Sequence, residues 1–308
     1  MMEDVGKNID KMLNRRNYRS RYSEMMESVM KDPDVTAFLE EHKDKLTQED
    51  IEKSYAKIYE FVQEKRKFEV NDPTMIAPGY EPQLTLNFHF VDVTYVPTQA
   101  LLERKKQEEI KNRINTIDIP KDIRNATMKS FDKTVEREEA LFETMRFIRF
   151  YEENPRTFHK GLYLAGDFGV GKTYLLGAMA NELAKRGYSS TLVHFPTFTS
   201  QIKSAIADNT VNEKLDAVKK APILILDDVG ADAMTSWTRD EVFGVILQYR
   251  MQEQLPTFFT SNLTMDGLEK HLSITKNADE PLKAKRIMER IRYLTKEIIM
   301  LGENRRNG

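Results

Sequence analysis

GDFGVGKTYLL, residues 166–176, is the stretch that decides the fold, because it matches the phosphate-binding pattern G-x-x-x-x-G-K-[ST]. The apolar run GLYLA, residues 161–165, precedes it and is typical of a short buried strand, and a helical pattern follows it. Strand, loop and helix in this order form the context in which the pattern binds a nucleotide. The sequence therefore predicts a nucleotide-binding site at this loop.

Each type of residue in the loop has a predicted role. Glycines let the backbone approach a phosphate closely, and the helix that begins near Lys172 directs the positive end of its dipole at the anion. Lys172 is predicted to reach the β- and γ-phosphate oxygens, and Thr173 to ligate Mg²⁺. The predicted nucleotide-binding residues are Gly166, Gly169, Val170, Gly171, Lys172, Thr173 and Tyr174.

A second motif, APILILDDVG (221–230), is an apolar strand that ends in two acidic residues. Open α/β sheets bind their ligands at the carboxyl ends of the strands. Asp227 is therefore predicted to hold Mg²⁺, and Asp228 to orient and polarise the attacking water. Taken alone, the same pattern also suits a strand followed by an ordinary turn.

A third strand, PTFFTSN (256–262), ends in Asn262. A neutral amide at that position can bind the γ-phosphate or the lytic water without adding charge, which predicts a sensor role. The alternative is an asparagine that opens a turn before Thr264 caps the next helix.

Three arginines are further candidates. Arg286 and Arg290 lie four residues apart on one flank of the helical stretch EPLKAKRIMERIRYL (280–294), so one of them could act on a neighbouring subunit's γ-phosphate as an arginine finger. The alternative is a solvated basic helix face. Arg305 is predicted to be a second contact with the nucleotide, although a frayed basic tail fits the same residues.

The predicted fold is α/β. Apolar runs at 161–165, 191–195, 222–227, 256–261 and 298–301 alternate with helical patterns and predict a five-stranded parallel sheet with helices on both faces. The chain after Thr173 is long enough to complete such a sheet but not to add a helical lid.

The sequence before this sheet predicts a small, mostly helical domain. It ends in a short β element, because PQLTLNFHFVDVTYV (82–96) alternates apolar and polar residues. A charge-dense helical stretch follows. The predicted organisation is an N-terminal domain (1–97), a helical linker (98–116) and a nucleotide-binding domain (117–308).

Composition narrows the choice of function. The chain has 308 residues, with 47 basic and 49 acidic side chains, so any contact with nucleic acid must come from a local basic cluster. It has no cysteine, which excludes disulfides and thiolate zinc sites. No stretch approaches the about 20 apolar residues of a membrane-spanning helix, and we expect a cytoplasmic protein.

Taken together, the phosphate loop, ILILDDVG, TSN and RIMERI resemble the AAA+ ATPases, and among them the bacterial replicative-helicase loaders of the DnaC/DnaI type. The segment IPKDIRNATMKSFD (119–132) looks like the stretch that opens the ATPase module in those loaders. The resemblance implies ATP hydrolysis with Mg²⁺, self-association, and binding of the hexameric replicative helicase through the N-terminal domain.

The resemblance also implies that the AAA+ domain binds single-stranded DNA through residues 195–220. That segment contains Lys203 and Lys214 together with Phe195 and Phe198, a basic and aromatic mixture that single-strand grooves use. Ordinary solvated helices would show the same mixed charges.

One departure concerns the N-terminal domain, which in that family commonly carries a cysteine-rich zinc site. Either packing replaces the metal in this chain, or its N-terminal resemblance is looser. Two other functions stay open at this point, a transposase-helper ATPase on nearly the same module and a non-hydrolysing adaptor that ATP switches.

Overall fold

The computed structural model describes residues 21–274 and 279–305. The chain divides into two compact units, one up to Gln107 and the other from Glu108 onward. Within the described residues, no helix combines the length and the apolar character that crossing a bilayer requires.

The first unit is mostly helical and contains one antiparallel hairpin, as predicted. Residues 21–30 form α1 and are packed with later helices around a core that includes Val29, Ile58 and Val62. The part of the chain that the structure describes contains no group of three or more histidine, aspartate or glutamate residues placed to hold a metal ion. The elements after α1 are α2 (Pro33–Glu41), α3 (Gln48–Lys53), α4 (Tyr55–Glu69), β1 (Tyr80–Asn87), β2 (Phe90–Pro97) and α5 (Gln99–Asn112), of which α5 crosses the division between the units.

The second unit is built on a parallel sheet of six strands, one more than predicted. The strands are β3 (Ile114–Ile117), β4 (Gly161–Ala165), β5 (Ser190–His194), β6 (Ile223–Asp227), β7 (Thr257–Ser261) and β8 (Thr295–Ile299), in the spatial order β3-β5-β6-β7-β4-β8.

The additional strand is β3, which lies at the end of the stretch predicted to be a helical linker. Four residues, Ile-Asn-Thr-Ile, are too few to show a clear alternation after a charge-dense helix. They become a strand because they pair in register with residues 190–193 of β5, a pairing that depends on tertiary structure. The prediction of five strands was wrong for this reason.

Helices cover both faces of this sheet, as predicted for an αβα sandwich. Successive residues of β6 enter opposite cores: Leu224 and Leu226 belong to one cluster, and Ile223 and Ile225 to the other. The helices are α6 (Lys121–Arg124), α7 (Val135–Glu153), α8 (Lys172–Lys185), α9 (Phe195–Ser204), α10 (Val211–Lys219), a π-helical segment (Thr238–Phe243) that runs into α11 (Gly244–Gln252), α12 (Met265–Ser273) and α13 (Pro281–Leu294). After β8, the described residues up to Arg305 contain no further helix.

The strand order positions the candidate site. Because β6, β7 and β4 are adjacent and parallel, the segments that follow them emerge side by side at one edge of the sheet. These segments are the phosphate loop after β4, the acidic pair at the end of β6 and Asn262 after β7.

Candidate nucleotide-binding site

A cavity of about 820 Å³ lies at this edge of the sheet. That volume is in the range of cofactor sites. Its lining contains residues from the phosphate loop, from the strand ends and from the segment before α7. The lining includes Phe131, Asp132, Arg137, Lys172, Thr173, His194, Asp227, Asp228, Thr260, Asn262 and Arg305.

The backbone path of the phosphate loop favours glycine, as Gly166 and Gly171 show. Gly166 has a φ of 151°, and a Cβ atom there would lie 2.0 Å from the carbonyl oxygen of Met300. Gly171 has a φ of 98° and is the N-cap residue of α8. The loop therefore delivers the N-terminus of α8 to the cavity, where its N–H groups and dipole favour an anion.

Lys172 is held against the loop. Its Nζ donates hydrogen bonds to the carbonyl oxygens of Gly166 (2.7 Å) and Asp167 (2.8 Å), and to Asn262 Oδ1 (2.9 Å). The side chain thus connects the loop after β4 to the residue after β7. A cation positioned in this way can bind the terminal phosphates of a nucleotide.

Asp227 and Thr173 meet as the metal prediction requires. Thr173 Oγ1 and Thr260 Oγ1 each donate a 2.6 Å hydrogen bond to Asp227 Oδ1. Burial is the main cause that raises the pKa of the Asp227 carboxyl, and the two hydroxyl bonds oppose it. A carboxylate beside a hydroxyl is an oxygen donor set that fits Mg²⁺, so Thr173 and Asp227 could hold this ion.

Asp228 turns away from the strand. Its φ is +60°, an uncommon value for a residue other than glycine. The backbone N–H of Asp228 donates to Thr260 Oγ1 at 2.9 Å, and Asn262 Nδ2 lies 3.4 Å from its Oδ1. His194 Nε2 lies 3.9 Å from Oδ2. The strained turn thereby presents the second carboxylate to the cavity beside the amide of Asn262.

Other predicted residues lie elsewhere or contribute differently. The Val170 side chain is buried in the core, so only the backbone of this residue is available to a nucleotide. Arg305 lines the cavity, forms an ion pair with Asp132, and donates its backbone N–H to Gly169 O at 3.2 Å. Tyr174 also lines the cavity.

The two predicted finger arginines do not line this cavity. Arg286 is exposed, while Arg290 is half-buried and donates to the carbonyl oxygen of Gly244 at 2.9 Å. Burial lowers the pKa of Arg290. The structure therefore brings neither arginine to the nucleotide site of its own chain.

The prediction that Phe195 and Phe198 contribute to single-stranded DNA binding is wrong. Phe195 and Phe198 are 2% and 1% exposed and belong to the core, because the amphipathic helix α9 buries its apolar face against the sheet. They are not available to stack on bases. Lys203 and Lys214 of the same segment are exposed.

Sequence reasoning missed several residues of the site. Thr260 could have been found, because it lies two residues before Asn262 and is a hydroxyl within an apolar strand. His194 ends β5 as Asp227 ends β6, so the same strand-end rule applies to it. Arg137 lies outside any motif, and Asp132 ends the segment 119–132 without any signal for a role in the site; the fold brings both to the cavity.

The strand order, the glycine loop and the acidic strand end define a P-loop ATP-binding protein of the AAA+ class. Comparisons with known proteins agree. The family model described as IstB-like ATP binding protein matches residues 91–306, and the model described as primosomal protein DnaI N-terminus matches residues 2–95.

A curated relative extends over the whole chain. The replicative helicase loader DnaI of Bacillus subtilis (strain 168) is 40% identical over 314 residues, which cover 99% of this chain and 100% of that protein. A crystal structure of DnaI is 46% identical with a TM-score of 0.55, and covers 64% of this chain and 100% of its own. A putative primosome component from Streptococcus pyogenes serotype M3 is 47% identical with a TM-score of 0.55, and covers 65% of this chain and 100% of its own. The chain belongs to the DnaI family of replicative helicase loaders.

Proposed function

We propose that this protein binds the replicative DNA helicase and delivers it onto single-stranded DNA, and that ATP hydrolysis at the P-loop site controls the delivery. The observation that carries the proposal is the 40% identity to the Bacillus subtilis loader over 99% of the chain. The transposase-helper alternative has less support, because the DnaI N-terminal model also matches residues 2–95.

The arrangement of the site supports hydrolysis. Lys172 would bind the terminal phosphates, and Thr173 with Asp227 would hold Mg²⁺, which would supply positive charge at the transferred phosphoryl group. Asp228 would orient the attacking water, and Asn262 lies close enough to both Lys172 and Asp228 to sense the γ-phosphate.

Self-association would complete the site. Arg286 and Arg290 do not line the cavity of their own chain, so an arginine finger would have to come from a neighbouring copy. Turnover would then be slow for a single chain and faster in an assembly.

We assign the remaining partners by region. Residues 1–97 bind the helicase, and the ATPase domain is the second unit, which begins at Glu108 and includes the strand β3. The predicted linker (98–116) therefore extends too far, because its last residues belong to the sheet. Single-stranded DNA binds the ATPase domain, and the exposed Lys203 and Lys214 supply basic charge for its phosphates.

The decisive experiment mixes the purified full chain with the hexameric replicative helicase of the same organism. Size-exclusion chromatography should show a complex, and deletion of residues 1–97 should abolish it while ATP binding is retained. Helicase transferred to circular single-stranded DNA should depend on the full chain and on ATP. A full chain that does not bind the helicase but co-purifies with a transposase would overturn the proposal.

A turnover measurement separates the loader from an adaptor. Phosphate release is followed with the chain alone, with helicase, and with helicase plus single-stranded DNA. We expect slow release alone and faster release in the complete mixture. Zero turnover in the complete mixture, with ATP bound, would favour the non-hydrolysing adaptor.

A further inference from the structure

Arg137 is a buried arginine whose hydrogen-bonding groups are poorly satisfied. It lies in the first turn of α7 and is 2% exposed. Its Nε has no hydrogen-bond partner within the described structure. Its Nη2 donates to the carbonyl oxygen of Glu303 only at the long distance of 3.5 Å. Burying a charged group without full hydrogen bonding is costly, so such a group in a native fold requires an explanation.

The carboxylate beside Arg137 does not supply that explanation. Asp132 Oδ2 lies 3.8 Å from Arg137 Nη1, beyond hydrogen-bonding distance. The same oxygen forms a much closer ion pair with Arg305. The Asp132 carboxylate therefore faces two guanidinium groups and forms a close ion pair only with that of Arg305.

Arg137 also lines the cavity that contains Lys172, Asp227 and Asp228. The Arg305 that shares Asp132 with Arg137 lies beside Gly169 of the phosphate loop, because its backbone N–H donates to Gly169 O. Phe131 also lines this cavity and lies against Gly171. A cation and an aromatic ring that line one cavity suit the part of a nucleotide where the phosphates join the nucleoside.

We infer that Arg137 is a second phosphate-binding cation of this site, and that it binds the α-phosphate of the nucleotide while Lys172 binds the terminal phosphates. The inference rests on the proposed ATP site and adds a residue that the P-loop motif does not contain. An α-phosphate oxygen would supply the hydrogen-bond acceptor that the Arg137 guanidinium lacks. The phosphate and the Asp132 carboxylate would then compete for the same positive charge.

The test measures nucleotide affinity of the full chain carrying Arg137→Gln, with Arg149→Gln as the matched control. Arg149 lies on the same helix but is exposed and paired with Glu153 at 3.0 Å. We expect Arg137→Gln to weaken ATP and ADP binding by the same factor, about tenfold to a hundredfold, because both nucleotides carry the α-phosphate. A loss for ATP alone would place Arg137 at the γ-phosphate and overturn the assignment.

A stability measurement separates ligand binding from a structural role. Without nucleotide, Arg137→Gln should melt at or above the wild-type temperature, since it removes an incompletely paired buried charge. The stabilisation produced by a fixed ATP concentration should shrink. A large loss of stability without nucleotide, with the ATP-induced increase unchanged, would make Arg137 structural and overturn the inference.

Asp132→Asn provides a test of opposite sign. The Asp132 side chain is 43% exposed, so the substitution is compatible with folding. Removing the competing carboxylate should tighten ATP and ADP binding by about threefold to tenfold, and weaker or unchanged binding would contradict the inference.

If the wild-type chain itself binds no ATP, the proposed function fails. If the wild-type chain binds ATP and the Arg137→Gln variant binds ATP equally well, only the assignment of Arg137 fails and the proposed function stands.

Discussion

Lys172 Nζ donates a 2.9 Å hydrogen bond to Asn262 Oδ1, although the two residues lie 90 positions apart in the chain. The bond joins the phosphate loop after β4 to the end of the neighbouring strand β7. Asn262 also lies within 3.4 Å of Asp228. The asparagine is thus placed between the cation that would bind the terminal phosphates and the carboxylate that would orient water.

This relationship predicts the effect of Asn262→Ala. Turnover should fall by about a hundredfold, because the variant lacks the amide donor that would act on the γ-phosphate or on the attacking water. ATP affinity should change by less than about tenfold, since Lys172 keeps its two carbonyl partners. Phosphate release with helicase and single-stranded DNA present, together with binding of labelled ATP, measures both. Asn212→Ala, at an exposed position of α10, is the control. A variant that turns over normally would remove the sensor role.

Lys172→Ala should abolish nucleotide binding. The side chain supplies the charge at the loop, so ATP affinity should fall by about a hundredfold or more. Binding of labelled ATP measures the change. Lys185→Ala is the matched control, because Lys185 lies on the same helix but is half exposed and paired with Glu182. Retained affinity in Lys172→Ala would show that the nucleotide does not bind at this loop.

Asp228→Asn should bind ATP normally but stop turnover. The substitution keeps the shape of the side chain and removes the negative charge that would orient water, so we expect a loss of at least about a hundredfold in turnover. Comparing ATP binding with phosphate release checks this. Asp232→Asn, four residues further on and exposed, should behave as wild type in both. Normal hydrolysis by Asp228→Asn would assign the water-orienting role to another residue.

The buried carboxyl of Asp227 predicts a dependence of stability on pH. Its folded-state pKa is raised above its ordinary value of about 3.9, mainly by burial. Its favourable contribution to folding is therefore fully present below the unfolded pKa and is lost as the pH rises through the folded pKa. Asp227→Asn, which cannot ionise, should have a larger free energy of unfolding than wild type at neutral pH without Mg²⁺, and the difference should narrow as the pH falls toward about 4.

Urea unfolding at several pH values measures this difference. In the Asp227→Asn variant the side-chain amide oxygen can still accept the bonds from Thr173 and Thr260, so the comparison isolates the charge. With Mg²⁺ and ATP the order should reverse, because the ionised carboxylate would be a metal ligand. Asp232→Asn should change the unfolding free energy by less than about 0.5 kcal/mol. A difference that widens toward low pH would contradict the cause assigned to the pKa.

The finger hypothesis predicts complementation between inactive variants. Arg286→Ala or Arg290→Ala should lower turnover of the assembled protein by about a thousandfold if that arginine acts on a neighbour's phosphate. Mixing the affected variant with Asp228→Asn should restore part of the activity, since some interfaces then combine an intact site with an intact finger. Arg292→Ala, on the same helix but paired with Asp266 and Glu269, is the control.

Mixtures that show no recovery for either arginine, although the variants co-assemble, would contradict a finger supplied in trans. Native mass spectrometry of the mixture establishes whether the variants share assemblies. The same measurement gives the number of copies in each assembly.

The local pattern was sufficient for the elements of the nucleotide site. Gly166 to Thr173 predicted a loop and a helix start, because glycine at positive φ and a following helix are properties of about ten consecutive residues. The apolar run that ends at Asp227 likewise predicted a buried strand. The structure joins Thr173 and Asp227 by a hydrogen bond. The predicted αβα architecture followed from the alternation of apolar runs with helical patterns.

Tertiary structure alone decided the rest. Whether residues 114–117 form a strand depends on an edge of β5 that is available for pairing, and no local pattern contains that information. Thr260 holds Asp227 because β6 and β7 are neighbours. Arg137 reaches the cavity because α7 and the segment after β8 meet beside the phosphate loop. Sequence patterns report the conformation of neighbouring residues, whereas a binding site is formed by strand order and packing, which bring together side chains far apart in the chain.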